Sequence, residues 1–165
     1  LVFTIKYQPD TNAMYHKLLS DIATPSAAYD DITLKQSVTG VRITLMTKVL
    51  FASGSTELSK QGQDILQQLA RTLSPRDDLK FIIEGHTDNV AIKGELSKLY
   101  KTNWELSSAR ALKVLHFLVA EGVAESSLEA RAHAANIPVD NNTNQSGKAQ
   151  NRRIEILLEK KKSNG

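Results

Sequence analysis

A chain of 165 residues suits one domain with its own core, burying roughly 70% of the surface exposed when unfolded. Cysteine is absent, which excludes disulfides, thiolate metal sites and cysteine nucleophiles together. The formal charge of +3, from 21 Lys and Arg against 18 Asp and Glu, is mild, and Lys160, Lys161 and Lys162 supply much of the excess as a solvated tail. No aromatic pair is interleaved with cations as a base-stacking platform needs, so nucleic acid is not an expected partner.

No apolar run approaches the ~20 residues that cross a bilayer, and Leu1 to Lys6 reads as neither a signal peptide nor an anchor. The chain opens without Met, so a fragment is expected, with any membrane segment lying upstream.

Taken in order, residues 1–31 read as an N-terminal extension and 32–165 as the main domain. In the extension Met14, Leu18, Leu19 and Ile22 are spaced for a short amphipathic helix, and Ala23-Thr24-Pro25-Ser26 breaks it. Val38, Val41, Ile43 and Leu45, with Gly40 among them, predict two short strands joined at a turn. Leu58, Ile65, Leu66, Leu69 and Leu73 share one helical face, and Ser74-Pro75 ends that helix. Phe81-Ile82-Ile83 predicts a buried strand, with Gly85 letting the chain turn out at its end. Past a polar loop, a second helix is predicted from Asn103, taken as its N-cap, through Leu106, Leu112, Leu115 and Leu118 to Gly122. Trp104 is expected as a core or staple residue beside that helix start. Leu128 to Ala135 predicts a strand, residues 141–144 a loop, and Arg153 to Leu158 a final strand. Alternating elements of this kind imply an α/β (α+β) two-layer sandwich with helices on one face of a mixed sheet.

Catalytic signatures are missing: there is no G-x-S-x-G, H-E-x-x-H, Walker loop or G-x-G-x-x-G. His16, His86, His116 and His133 fall at spacings that predict no ligand cluster, so neither a metal nor a cofactor is expected. One polar constellation remains. Asp88 closes Gly85-His86-Thr87-Asp88 at a strand end, Arg110 lies in the first turns of the next helix, and Asn151-Arg152-Arg153 opens the last strand. These places can converge on one rim of the sheet, where a carboxylate and a guanidinium share a ligand. Equally, Asp88 can be a turn residue, Arg110 a solvated helix side chain and Asn103 a cap.

Four blocks in order resemble the OmpA C-terminal family: Phe51-Ala52-Ser53-Gly54-Ser55-Thr56-Glu57-Leu58, Glu84-Gly85-His86-Thr87-Asp88-Asn89, Asn103 with Leu106-Ser107-Ser108-Ala109-Arg110-Ala111, and Asn151-Arg152-Arg153-Ile154-Glu155. Thr102-Asn103-Trp104-Glu105-Leu106-Ser107, after a longer loop, is most similar to the stator subunits MotB and PomB within that family. The resemblance implies an OmpA-like fold and non-catalytic binding of peptidoglycan through the diaminopimelate of its stem peptide. On that resemblance Asp88 takes the ammonium, Arg110 takes the carboxylate, and Asn103, Leu106, Ala111 and Arg153 line the pocket. It further implies a periplasmic domain of an inner-membrane protein, a multi-span stator partner of the MotA or PomA type, and a homodimer. Rival readings are a wall anchor of a non-flagellar complex and a peptidoglycan hydrolase pairing Asp88 with Glu84, the nearest other carboxylate in sequence. One departure stands out: Ala132-His133-Ala134 replaces the family's glycine-aromatic-glycine step, so a positive φ there is harder to reach.

Overall fold

The computed structural model describes residues 32–162 apart from Val38, together with Ala13, Tyr15, His16, Lys17 and Ser20. Those five are helical and Tyr15 packs on the core, whereas Met14, Leu18, Leu19 and Ile22 lie outside the described residues.

The elements are β1 (Ile32–Gln36), β2 (Gly40–Met46), α1 (Thr47–Leu50), α2 (Lys60–Leu73), β3 (Leu79–His86), α3 (Leu96–Leu99) and α4 (Asn103–Ala120), then a 3-10 turn (Glu125–Ser127), β4 (Leu128–Ala132), α5 (Gln145–Asn151) and β5 (Arg153–Lys160). The five strands run in the order β1-β2-β5-β3-β4, so the last strand is threaded into the middle of the sheet. It pairs antiparallel with both β2 and β3, while β3 and β4 run parallel. The sheet is mixed, with helices laid on one face, as the alternation of elements implies.

Period-two alternation explains which face is covered. Val41, Ile43 and Leu45 of β2, Phe81 and Ile83 of β3, and Ile154, Ile156 and Leu158 of β5 all point into one apolar core. The helical layer supplies Ile65, Leu66, Leu69 and Leu73 from α2 and Ala111, Val114 and Leu118 from α4. The intervening residues Arg42, Glu84 and Glu155 take the other face, where Glu84 sits opposite Glu155 in register. Among the described residues, no helix is long and apolar enough to cross a membrane.

Helix boundaries follow local chemistry. Ser59 caps α2 by accepting from Gly62 N at 2.9 Å, and its hydroxyl also donates to Val49 O at 2.6 Å, tying α1 to α2. Asn103, expected as the N-cap of α4, is instead its first helical residue. Thr102 is the cap, in a reciprocal capping box with Glu105, which frees the Asn103 amide for another task. Trp104 is not a core residue: it is 53% exposed. The predicted strand from Leu128 stops at Ala132, because the chain leaves the sheet at His133 and passes through Ala134 with φ 49°. A left-handed alanine costs about 1 to 2 kcal/mol relative to the right-handed form. Tertiary bonds hold it there, since Ala134 O accepts from Thr87 N at 2.8 Å and Ala134 N donates to Ser107 Oγ at 3.2 Å.

Gly85 marks where β3 and α4 touch, because a Cβ on it would lie 2.1 Å from Ser107 O, a backbone atom that cannot rotate away. Gly85→Ala should therefore lower stability in urea denaturation by about 1 to 3 kcal/mol or more. Gly94→Ala is the comparison, since a Cβ there meets nothing within 4 Å and only its φ of +65° is strained. Equal losses in the two variants would contradict the close approach.

Candidate functional site

At the end of β3 the chain turns out through Thr87 and Asp88 beside the start of α4, and the α1–α2 loop closes over the same region. Between them lies a cavity of about 460 Å³. Its walls come from Thr47, Phe51 and Gly54 on one side, Asp88 and the loop Val90 to Lys93 on another, and Asn103, Leu106 and Arg110 along α4. Positions 103, 106 and 110 share one helix face, as a 3.6-residue repeat requires.

Arg110 is 8% exposed, and among the described residues no carboxylate comes within ion-pairing distance of it. Its guanidinium lies 5.3 Å from the centroid of the Phe51 ring and gives one hydrogen bond, to Ser55 O at 3.1 Å, while its Nε is buried with no partner. Burial, together with the nearby charge of Arg152, pulls its pKa down to about 10, so it is still a cation at neutral pH.

Asp88 is differently placed. One oxygen takes a 2.6 Å ion pair from Arg152 and the other accepts from Val90 N at 3.0 Å, a local turn bond. Turn residue and cavity residue are thus the same residue. The Asn103 amide donates to Asp88 O at 3.3 Å and Val90 O at 3.1 Å, pinning the loop that walls the cavity.

Of the six residues expected at the site, Asp88, Asn103, Leu106 and Arg110 line this cavity, whereas Ala111 and Arg153 do not. Ala111 is one helix step beyond Arg110, a turn of about 100° that carries its methyl into the core, where it is 0% exposed. Arg153 begins β5 and points to the far side of the sheet, bonded to Glu155 Oε1 at 3.0 Å, Asn151 O at 3.2 Å and Ile137 O at 2.9 Å. Its neighbour Arg152 is the arginine of that motif that reaches the cavity. The sequence pair Arg152-Arg153 carries no sign of which residue faces where; only the strand register does. Asn151, expected to open the last strand, instead ends α5; fully buried, it accepts from Val139 N at 2.7 Å and Asp140 N at 3.0 Å and so clamps the preceding loop.

Glu84, the hydrolase candidate, is not in the cavity. Its carboxylate accepts from Arg42 at 3.0 Å and contacts His133 Nε2 at 2.6 Å, on the far face. Among the described residues, Asp88 is the one acidic residue lining the cavity. The far face also corrects the expectation of scattered histidines, for the His86 and His133 rings stack at 4.8 Å beside Glu84. Their planes differ by 17°, and one ligand atom from each of Glu84, His86 and His133 lies within 4.8 Å of the others. The group is a packed ionic network in which Arg42 also bonds Glu155 at 2.7 Å. Burial acts to raise the Glu155 carboxyl, but His86, Arg153 and Arg42 override it and hold it down to about 2. Burial lowers the His86 pKa, against the opposing pull of Glu155.

The family model for the OmpA family matches residues 50–152, more than half of the chain, and the chain belongs to that family. The uncharacterised protein YtxE of Bacillus subtilis (strain 168) is 36% identical over 136 residues, covering 80% of this chain and 53% of its own length. Motility protein B of the same organism is 28% identical over 125 residues, covering 75% of this chain and 47% of its own. Peptidoglycan-binding protein ArfA of Mycobacterium bovis is 31% identical over 110 residues, covering 67% and 32%. The chain thus spans about half the length of the first two relatives. Among solved structures, a MotB-like protein from Desulfovibrio vulgaris superposes with a TM-score of 0.83 at 24% identity, covering 94% of both chains, and shares the fold. The cell wall anchor of the type VI secretion system from Pseudomonas aeruginosa gives 0.75 at 25% identity, covering 94% of this chain and 100% of the other. The chain is an OmpA-like domain close to MotB.

Glu155 ionises more readily folded than unfolded, where a glutamate titrates near ~4.3, so its contribution is present above that pH and lost as pH falls toward 2. Glu155→Gln leaves Arg42 and Arg153 short of a counter-charge and should cost roughly 3 kcal/mol at pH 7 in urea denaturation. The gap to wild type should close between about pH 4 and 2. A gap that stays constant through that range would contradict the carboxylate's role.

Proposed function

We propose that the cavity binds the diaminopimelate residue of the peptidoglycan stem peptide without altering it, so that the domain anchors a membrane complex to the cell wall. The observation that carries this reading is the buried Arg110 guanidinium, which has no carboxylate of its own among the described residues, beside Asp88 in a cavity of about 460 Å³. Diaminopimelate ends in a carbon bearing both a carboxylate and an ammonium. A guanidinium fork grips the first, a charge-assisted bond contributing about 1.5 to 3 kcal/mol net, and an aspartate accepts from the second. Leu106 and Phe51 supply apolar wall for the methylene chain between the two ends.

Similar proteins support the same reading: ArfA is a peptidoglycan-binding protein, and the Pseudomonas structure is a cell wall anchor. A catalytic alternative has little to work with, since a hydrolase using Asp88 needs a second carboxylate and Glu84 points to the other face of the sheet.

The complex in question is, on this proposal, the flagellar stator, because Motility protein B is among the relatives. The whole protein then has a membrane helix before residue 1, a multi-span partner and a second copy of itself, with residues 1–31 as the connector and 32–165 as the periplasmic anchor. A specific observation favours a second reading, a wall anchor of a secretion system, namely the structural match to the type VI anchor.

Arg110→Ala should abolish co-sedimentation with purified cell walls while leaving the circular dichroism spectrum unchanged, a loss of about 2 to 5 kcal/mol in binding. Undiminished sedimentation would remove the site. The same substitution in the cell should stop swimming while flagella still assemble, and swimming cells would move the function to another anchored complex.

A further inference from the structure

The two ends of the proposed ligand do not meet equivalent partners. Among the described residues, four cations line the cavity, Lys48, Lys93, Arg110 and Arg152, against the single carboxylate of Asp88. Both oxygens of that carboxylate are already engaged, one by Arg152 at 2.6 Å and one by Val90 N at 3.0 Å. Arg110 has no such compensation: its one hydrogen bond goes to the neutral Ser55 carbonyl, and its Nε faces no acceptor. An arriving ammonium competes with Arg152 for Asp88 and enters a field of like charge. An arriving carboxylate meets a cation that is already desolvated and waiting, beside the N-terminal turns of α4, whose dipole also favours negative charge.

We propose that the site is first a carboxylate receptor, so that it distinguishes free-acid diaminopimelate from its amide far more sharply than it registers the ligand's ammonium. This rests on the diaminopimelate reading and adds to it a specificity for the chemical state of the wall. Amidation replaces the carboxylate by a neutral group and leaves the end with a net positive charge, the wrong sign for a cavity with four cations. Loss of the amine charge, as when that nitrogen is acylated in a cross-link, leaves a net negative end that the same cations favour. A wall whose diaminopimelate is amidated would hold the domain weakly, and consumption of the amine charge would by itself matter little.

Three synthetic tetrapeptides, L-Ala-γ-D-Glu-diaminopimelate-D-Ala and two analogues, test this by titration calorimetry on the folded chain. The terminal D-Ala caps one carboxyl of the diaminopimelate, so a single free carboxylate remains on it. One analogue carries that carboxylate as an amide; the other replaces the free amine by hydrogen, which adds no bulk. The amide should bind at least roughly 30-fold more weakly than the parent, the lower end of what an unpaired buried charge costs a complex. The deamino analogue should stay within about 5-fold. The proposal is overturned if the amide binds within about 3-fold of the parent, or if the deamino analogue loses more than the amide. In either case, parent binding that disappears in Arg110→Ala would leave the site assignment standing. If none of the three binds, the stem-peptide reading fails and takes this specificity with it.

Discussion

The arrangement depends on the last strand. β5 enters the sheet between β2 and β3, and its register sets what every neighbouring side chain meets. Because successive strand residues alternate in direction, Ile154, Ile156 and Leu158 close the apolar core while Arg153 and Glu155 complete an ionic network behind it. Arg152, at the junction between α5 and β5, falls outside that alternation and is left at the rim, where it reaches across 64 residues of chain to Asp88. A one-residue slip would exchange these roles, placing charge in the core and apolar groups on the far face. The apolar pairings of β2, β3 and β5 therefore fix the polar geometry of the rim.

The two charged assemblies of the domain illustrate two ways of keeping ions out of water. On the far face, Arg42 and Arg153 stand against Glu84 and Glu155, so each buried charge has an opposite neighbour. In the cavity the account is left open, since Arg110 rests on an aromatic face and a carbonyl. A folded protein tolerates such a cation because the guanidinium holds its proton even when desolvation weakens it. What costs stability in the free domain is available to a ligand that carries the missing charge. The same logic makes Arg a better choice than Lys here, since an ammonium buried alone loses its proton more readily.

Much of the fold was legible because it rests on patterns that repeat. The spacing of Leu66, Leu69 and Leu73 and the alternation of Val41, Ile43 and Leu45 report burial directly, and each lies in the core. Short elements were not legible: α1, α3 and α5 are too brief for a periodic signal, and tertiary contacts hold them, as Ser59 does for α1 and Asn151 for the loop before α5. The start of α4 was misread by one residue because Thr102 and Asn103 are both good caps, and Glu105 decides between them by closing the box on Thr102. Trp104 was misread because an aromatic residue beside a helix start packs inward only if a partner surface is there to receive it.

By itself, the sequence determined the order of the longer helices and strands, their buried faces, the membership of the OmpA family, and the presence of Asp88, Asn103, Leu106 and Arg110 in motifs at the rim. Only the tertiary structure decided that Arg152 and not Arg153 faces the cavity, that Ala111 belongs to the core, that Glu84 and the two histidines form a separate network, and that Asp88 is paired while Arg110 is not. The physical reason is that a periodic pattern records whether a residue is buried. Which partner it meets once buried depends on strand register and on loops brought together from distant parts of the chain.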